Sequence, residues 1–133
     1  MAALLEEHPH HERALAALDD LLDRGYGMLP VGHVLFEAYS SLTRMPPPLR
    51  IEPAAAVKAI TAAFIDLGTV ITLGPDEYVG ALNGFVDNEV LGGQVYDAAI
   101  VACARARGAE ILLTFNERHF RRFGGDGLTI VVP

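Results

Sequence analysis

The stretch from Gly92 to Phe120 constrains the fold more than any other part of the chain. It runs GGQVYDAAIVACARARGAEILLTFNERHF: two glycines, a nearly all-apolar helical segment, a glycine stop and a short apolar strand. The helical segment carries one carboxylate, Asp97. A helix that is apolar nearly all round is buried on most sides, and an unpaired carboxylate there costs several kcal/mol. A functional role is therefore one interpretation of Asp97.

The other interpretation is that Asp97 only interacts with the helix N-terminus. It would lie in the first turn of the helix, where a carboxylate is stabilised by roughly 0.3–1 kcal/mol. That gain is smaller than the cost of burying the charge without a partner.

Segments with strand character alternate with helical segments along the whole chain, which predicts an α/β fold with a mainly parallel sheet. The hydrophobic fraction of 51% over 133 residues fits one packed domain, residues 1–133. The predicted strands are 26–30, 69–73, 111–113 and 128–132, the last after a turn at 124–127. The predicted helices are 2–7, 11–24, 31–42, 53–66, 75–85 and one within the Gly92–Phe120 stretch.

The net charge of −7 argues against a protein that holds nucleic acid by bulk electrostatics alone. The basic residues are unevenly spread, because half of the ten Lys and Arg lie in the last 29 residues. They form either solvated helix faces or a basic rim suited to a phosphodiester substrate. These residues are Arg105, Arg107, Arg118, Arg121 and Arg122.

The chain has no sign of membrane insertion or secretion. No apolar run approaches the roughly 18 residues of a membrane span, and the opening MAALLEE lacks the basic start and long apolar segment of a signal peptide. The lone Cys103 lies in an apolar helical segment and is interpreted as core filling. We expect a cytoplasmic protein without a membrane partner.

Two further groups of polar residues are candidates for chemistry. Asn116 and Glu117 follow the predicted strand 111–113, at the edge where open α/β sheets place their sites. Asn116 is either an oxygen ligand for a metal or an ordinary turn residue. Glu37 lies about 120° from the centre of its helix's apolar stripe, so spacing alone predicts a solvated glutamate.

The histidines carry weaker signals. His8, His10 and His11 flank a proline with no carboxylate or cysteine at ligand spacing, so a solvated turn is preferred over a metal cluster. Spacing assigns no role to His33 or His119.

Taken together, these motifs resemble the PIN-domain family and specifically its VapC-type ribonuclease toxins. HPHHERA is similar to the break after the family's first helix, and LPVGHVLFEAYSSLTRMP is similar to its strand–helix unit with a central glutamate. GGQVYDAA is similar to the family's glycine pair and aspartate. ILLTFNERHF is similar to the strand that precedes its acidic or Asn position. The resemblance covers essentially the whole chain, and the last two motifs together are specific.

The resemblance implies a three-layer α/β/α fold and a metal-dependent endoribonuclease toxin of a toxin–antitoxin system. Glu37, Asp97 and Asn116 match three metal-site positions of the family, which holds Mg²⁺ or Mn²⁺ with clustered acids. It further implies an RNA substrate, a cognate antitoxin and a homodimer. Arg118, Arg121 and Arg122, with Arg105 and Arg107, are the candidates for contact with RNA or antitoxin.

The chain departs from the family pattern at its N-terminus. The family begins with a central strand that ends in an aspartate, whereas Met1 to Leu5 already resembles the helix that follows it. We therefore expect that this strand and one metal ligand are missing. Two alternatives stay open: a truncated, weakly active or inactive module that binds an antitoxin, and an unrelated α/β enzyme acting on small phosphorylated molecules, for which no phosphate-binding loop is found.

Overall fold

The computed structural model describes residues 2–123, 125 and 127–133. The chain divides into two compact units, Met1–Val70 and Ile71–Pro133. Two residues of the predicted 124–127 turn, Gly124 and Asp126, lie outside the described residues. The helices are α1 (His11–Asp23), α2 (Gly32–Arg44), α3 (Pro53–Ile60), α4 (Pro75–Asp87), α5 (Gln94–Ala106) and α6 (Glu117–Phe120). The strands are β1 (Ile111–Leu113) and β2 (Thr129–Val131).

The first unit is helical and has its core between α2 and α3. Leu42 and Ala56 are its most deeply buried side chains, at 1% and 0% exposure. Ala38 and Leu42 belong to the apolar stripe that the sequence predicted for α2, and both are buried. The α3 helix begins as Pro at its first position predicts, and the Glu52 carboxylate accepts hydrogen bonds from the backbone N–H groups of Ala54 and Ala55, at 2.8 and 3.2 Å.

Two predicted strands of the chain are not formed. In place of 26–30 and 69–73 there are isolated bridges, among them a parallel bridge between Met28 and Gly68 that is closed by the Thr69 N–H on the Met28 carbonyl at 2.9 Å. Pro30 lies two residues beyond Met28 and has no N–H to continue a ladder. The prediction of a strand was therefore wrong for 26–30 and for the β-branched segment 69–73.

Two predicted helices have different bounds. The predicted helix 2–7 is only a 3₁₀ turn, Ala2–Leu4, because Pro9 disfavours helical backbone at His8 and the segment is too short to nucleate an α-helix. The predicted helix 53–66 ends as α3 at Ile60 and continues as a π-helical turn, Thr61–Ile65.

The second unit contains the only two strands among the described residues, and they are parallel. Ile111 pairs with Thr129 and Leu113 with Val131. Behind them, Val101 and Ala104 of α5 pack against Phe120 and Leu128. Helices with a short parallel sheet confirm the predicted α/β class.

An ion pair joins the two long helices of this unit. The Arg107 guanidinium at the end of α5 donates to both Glu77 carboxylate oxygens, at 2.6 and 2.8 Å, and to the Thr72 carbonyl at 2.7 Å. Glu77 in turn accepts the Gly74 N–H at 2.6 Å, at the start of α4. These bonds lower the pKa of Glu77 from 4.5 to about 2. Cys103, one turn before Arg107, is buried as predicted, and burial raises the pKa of its thiol.

None of the helices in the described part of the chain is long and apolar enough to cross a membrane.

Candidate active site

Asp97 lies in the first turn of α5, directly after the glycine pair. Gly92 has a φ of +55°, a conformation that glycine adopts without strain, and its carbonyl accepts the Val95 N–H at 3.3 Å to start the helix. The Asp97 side chain is 21% exposed, and its Oδ2 lies 3.1 Å from Nδ1 of His119. The carboxylate is therefore mostly buried, and its partner is a histidine to which the sequence assigned no role.

Asn116 lies at the carboxyl end of β1, as the sequence predicted. Its backbone N–H donates to the Thr114 hydroxyl at 3.0 Å, and its carbonyl accepts the His119 N–H at 3.0 Å. The backbone of Asn116 thus makes a turn, and Thr114 serves that turn instead of a neighbouring carboxylate. The side-chain amide of Asn116 is exposed and makes no capping bond to α6.

The structure brings Asp97 and Asn116 to one region of the second unit through His119. The His119 ring contacts Asp97, while its backbone contacts Asn116. Glu37 lies on α2 in the first unit and is exposed, as its position on the helix predicted. Its assignment to the same site rests on the family resemblance.

Four of the five C-terminal arginines make hydrogen bonds or ion pairs within the protein. Arg105 donates to the Phe123 carbonyl at 2.8 Å and Arg107 binds Glu77. Arg121 pairs with Glu117 at 3.0 Å, and Arg122 donates to Gln94 and to the Asn88 carbonyl, at 2.7 and 2.8 Å. Arg118 is exposed, and no partner for it lies in the described residues.

The donor atoms of the proposed site are of the kind that a hard divalent cation prefers. Asp97 and Glu37 offer carboxylate oxygens and Asn116 an amide oxygen, and Oδ1 of Asp97 has no hydrogen-bond partner within residues 2–123, 125 and 127–133. No group of three or more His, Cys, Asp or Glu able to hold a metal occurs in that part of the chain. The family resemblance implies only two such residues, Asp97 in the second unit and Glu37 in the first, so the donor types suit Mg²⁺ or Mn²⁺ but carry few charges.

The N-terminal histidines form a turn, as the sequence favoured. His8 Nδ1 accepts the His10 N–H at 3.1 Å, and the His11 ring bonds the Ala2 carbonyl at 2.9 Å. Burial, followed by the neighbouring positive charges, lowers the pKa of His8.

Sequence reasoning missed His119 because it stands 22 residues from Asp97 and no periodic pattern links them. The available signal was Phe120, because an apolar residue directly after a polar turn indicates that the chain folds back onto the core. In the structure Phe120 packs against α5, and His119 lies beside that helix.

Comparison with known proteins places these features in a family. The family model described as PIN domain matches residues 1–126. Ribonuclease VapC40 of Mycobacterium tuberculosis is 36% identical over 105 residues, which cover 79% of this chain and 72% of that protein. Ribonuclease VapC27 of the same organism is 35% identical over 80 residues, covering 60% of this chain and 56% of that protein. No solved structure gives a match. The chain belongs to the PIN-domain family.

Proposed function

We propose that this chain is a metal-dependent endoribonuclease toxin of a toxin–antitoxin system, hydrolysing RNA phosphodiester bonds. The observation that carries the proposal is Asp97: a mostly buried carboxylate in the first turn of α5, held by His119 in a chain of the PIN family. The similarity to two proteins named ribonuclease supports the reaction class.

Glu37, Asp97 and Asn116 are the residues proposed to hold Mg²⁺ or Mn²⁺. A bound divalent cation supplies an activated water and stabilises charge on the phosphodiester and on the leaving oxygen. The protein's own contribution is to fix the carboxylate of Asp97, through the α5 turn that Gly92 begins and through the bond to His119. The polar end of β1 adds the Asn116 amide.

Arg118, Arg121 and Arg122 are proposed to contact RNA. Arg118 is the best placed, since it is exposed and lies next to His119 without a described partner. Arg121 would first have to give up its ion pair with Glu117, and Arg122 its hydrogen bond to Gln94. Arg105 and Arg107 support the fold instead, because their guanidinium groups hold backbone carbonyls of the same unit.

A cognate antitoxin and a second copy of the chain are the proposed protein partners. The exposed face of α4 supports a protein partner: Tyr78, Val79, Leu82 and Val86 lie at spacings of one, three and four residues, and Val86 is 78% exposed. A contiguous exposed apolar surface of this kind indicates an interaction site in a soluble protein. We propose that the protein acts in the cytoplasm, where its RNA substrate is found.

The experiment that tests this function is cleavage of labelled RNA with added Mg²⁺ or Mn²⁺, comparing the wild-type chain with Asp97→Asn. The substitution removes the charge and keeps the shape, so we expect at least a hundredfold loss of cleavage rate, in line with the loss of a principal electrostatic group. EDTA should abolish wild-type cleavage.

Asp76→Asn is the matched control, because Asp76 is an exposed first-turn carboxylate of α4 and has no proposed role. It should cleave as the wild type does. A folded wild-type chain that binds antitoxin but leaves RNA intact with either metal would contradict the nuclease and support the antitoxin-binding module.

A further inference from the structure

The bond between His119 and Asp97 joins two elements that the chain brings together over 22 residues. Among the residues that the structure describes, His119 is the side chain that hydrogen-bonds the Asp97 carboxylate. Their side chains differ in exposure, at 57% for His119 and 21% for Asp97. The histidine is therefore the more exposed partner of the pair.

The position of His119 is fixed by its neighbours on both sides. Phe120 is buried against Val101 and Ala104, which lie four and seven residues after Asp97 and so on the same face of α5. On the other side, the backbone N–H of His119 bonds the Asn116 carbonyl. Packing of Phe120 thus aligns α6 along α5, and the His119 ring meets Asp97 one turn further toward the start of α5.

The chemistry of the pair determines which atom donates. An ionised carboxylate only accepts hydrogen bonds, so Nδ1 of His119 carries the hydrogen and donates it to Oδ2. The bond uses one of the two carboxylate oxygens and leaves Oδ1 without a partner in the described chain. A hydrogen bond of this kind sets the orientation of a metal-binding carboxylate and is a common second partner of such ligands.

We propose that His119 is a positioning residue of the reaction site: its Nδ1–H fixes the Asp97 carboxylate so that the free oxygen is presented to a divalent cation. This inference rests on the proposed function. It gives a role to the strand–turn–helix segment beyond supplying Asn116, since that segment also orients the acid on α5.

The test is titration of Mn²⁺ into the purified chain by calorimetry, without RNA. His119→Leu removes the donor, and we expect the dissociation constant to rise about 10–100-fold. His119→Asn places an amide N–H where Nδ1 stood and should restore most of the affinity, whereas His119→Gln places its amide at the Nε2 position and should not. His119 is more than half exposed, so all three variants are expected to fold.

His8→Asn is the matched control, because it removes an imidazole at a position that is distant from Asp97 in sequence. This variant should bind Mn²⁺ as the wild type does. If Asp97→Asn weakens binding but His119→Leu does not, His119 has no positioning role while the proposed function stands. Equal losses in His119→Asn and His119→Leu would also overturn the role, since a hydrogen-bond donor at the Nδ1 position would then have no effect on Mn²⁺ binding. A wild-type chain that binds no Mn²⁺ would contradict the proposed function, and the role of His119 with it.

Discussion

Glu77 and Arg107 form the strongest ion pair of the second unit because the geometry is bidentate and the carboxylate has a further backbone donor. Two N–H groups of one planar guanidinium meet the two carboxylate oxygens, an arrangement that lysine cannot reproduce. The Gly74 N–H bond adds to it and caps α4. The pair therefore fixes the start of one helix against the end of another.

The contribution of the Glu77–Arg107 ion pair to stability should be lost when Glu77 is protonated. Because the pKa of Glu77 is depressed from 4.5 to about 2 in the folded chain, its stabilising effect is complete above pH 4.5 and is lost as the pH falls toward about 2. We expect Glu77→Gln to lower the melting temperature at pH 7, and the gap to the wild type to narrow between pH 4.5 and 2.

Asp76→Asn is the control for that experiment, since it removes the adjacent carboxylate of the same helix turn without touching Arg107. A gap between Glu77→Gln and the wild type that stays constant from pH 7 to pH 2 would show that the ion pair does not stabilise the fold.

At the scale of the element, the bridge between Met28 and Gly68 shows why two predicted strands are absent. The chain segments approach so closely there that a Cβ on residue 68 would lie 2.9 Å from the carbonyl oxygens of Met28 and Phe64, and 2.8 Å from Cδ of Pro30. Only glycine allows that contact. The sequence showed the β-branched residues around it but contained no sign of how close the two backbones come.

Gly68→Ala should therefore destabilise the chain. Two of the atoms in the way belong to the backbone and cannot move aside, so we expect a loss of about 1–3 kcal/mol in the free energy of unfolding, typical of overpacking. Gly27→Ala is the matched control, because a Cβ there meets nothing within 4 Å. Urea denaturation of both variants checks this, and equal stability of the two would contradict the close approach.

Gly80 in α4, unlike Gly68, has room for a larger side chain. It lies in the interior of the helix, is exposed, and has open space where a Cβ would stand. Gly80→Ala should stabilise the chain by roughly 0.5–1 kcal/mol, because alanine loses less backbone entropy on folding than glycine. Urea denaturation again measures it, and a loss of stability would contradict the open space around Gly80.

At the scale of the whole molecule, the sequence predicted the α/β class, α5 with its buried Cys103, and the two strands β1 and β2. These elements have strong local signals: an apolar helix between glycines, and short apolar strands after polar turns. Asp97 and Asn116 could be selected for the same reason. The contact between Asp97 and His119 could not be predicted, because it depends on the packing of Phe120 against α5 and not on spacing along the chain. Three features remain predictions: the single domain over residues 1–133, the metal itself, and its proposed ligands Glu37, Asp97 and Asn116.

The proposed function requires that this PIN-family chain hydrolyse RNA with a water molecule and a divalent cation. The most direct measurement is single-turnover cleavage in ¹⁸O-labelled water with Mn²⁺, followed by mass spectrometry of the product ends. We expect one ¹⁸O in the new terminal phosphate and no cleavage when EDTA is present. A 2′,3′-cyclic phosphate product, or cleavage that persists in EDTA, would contradict it.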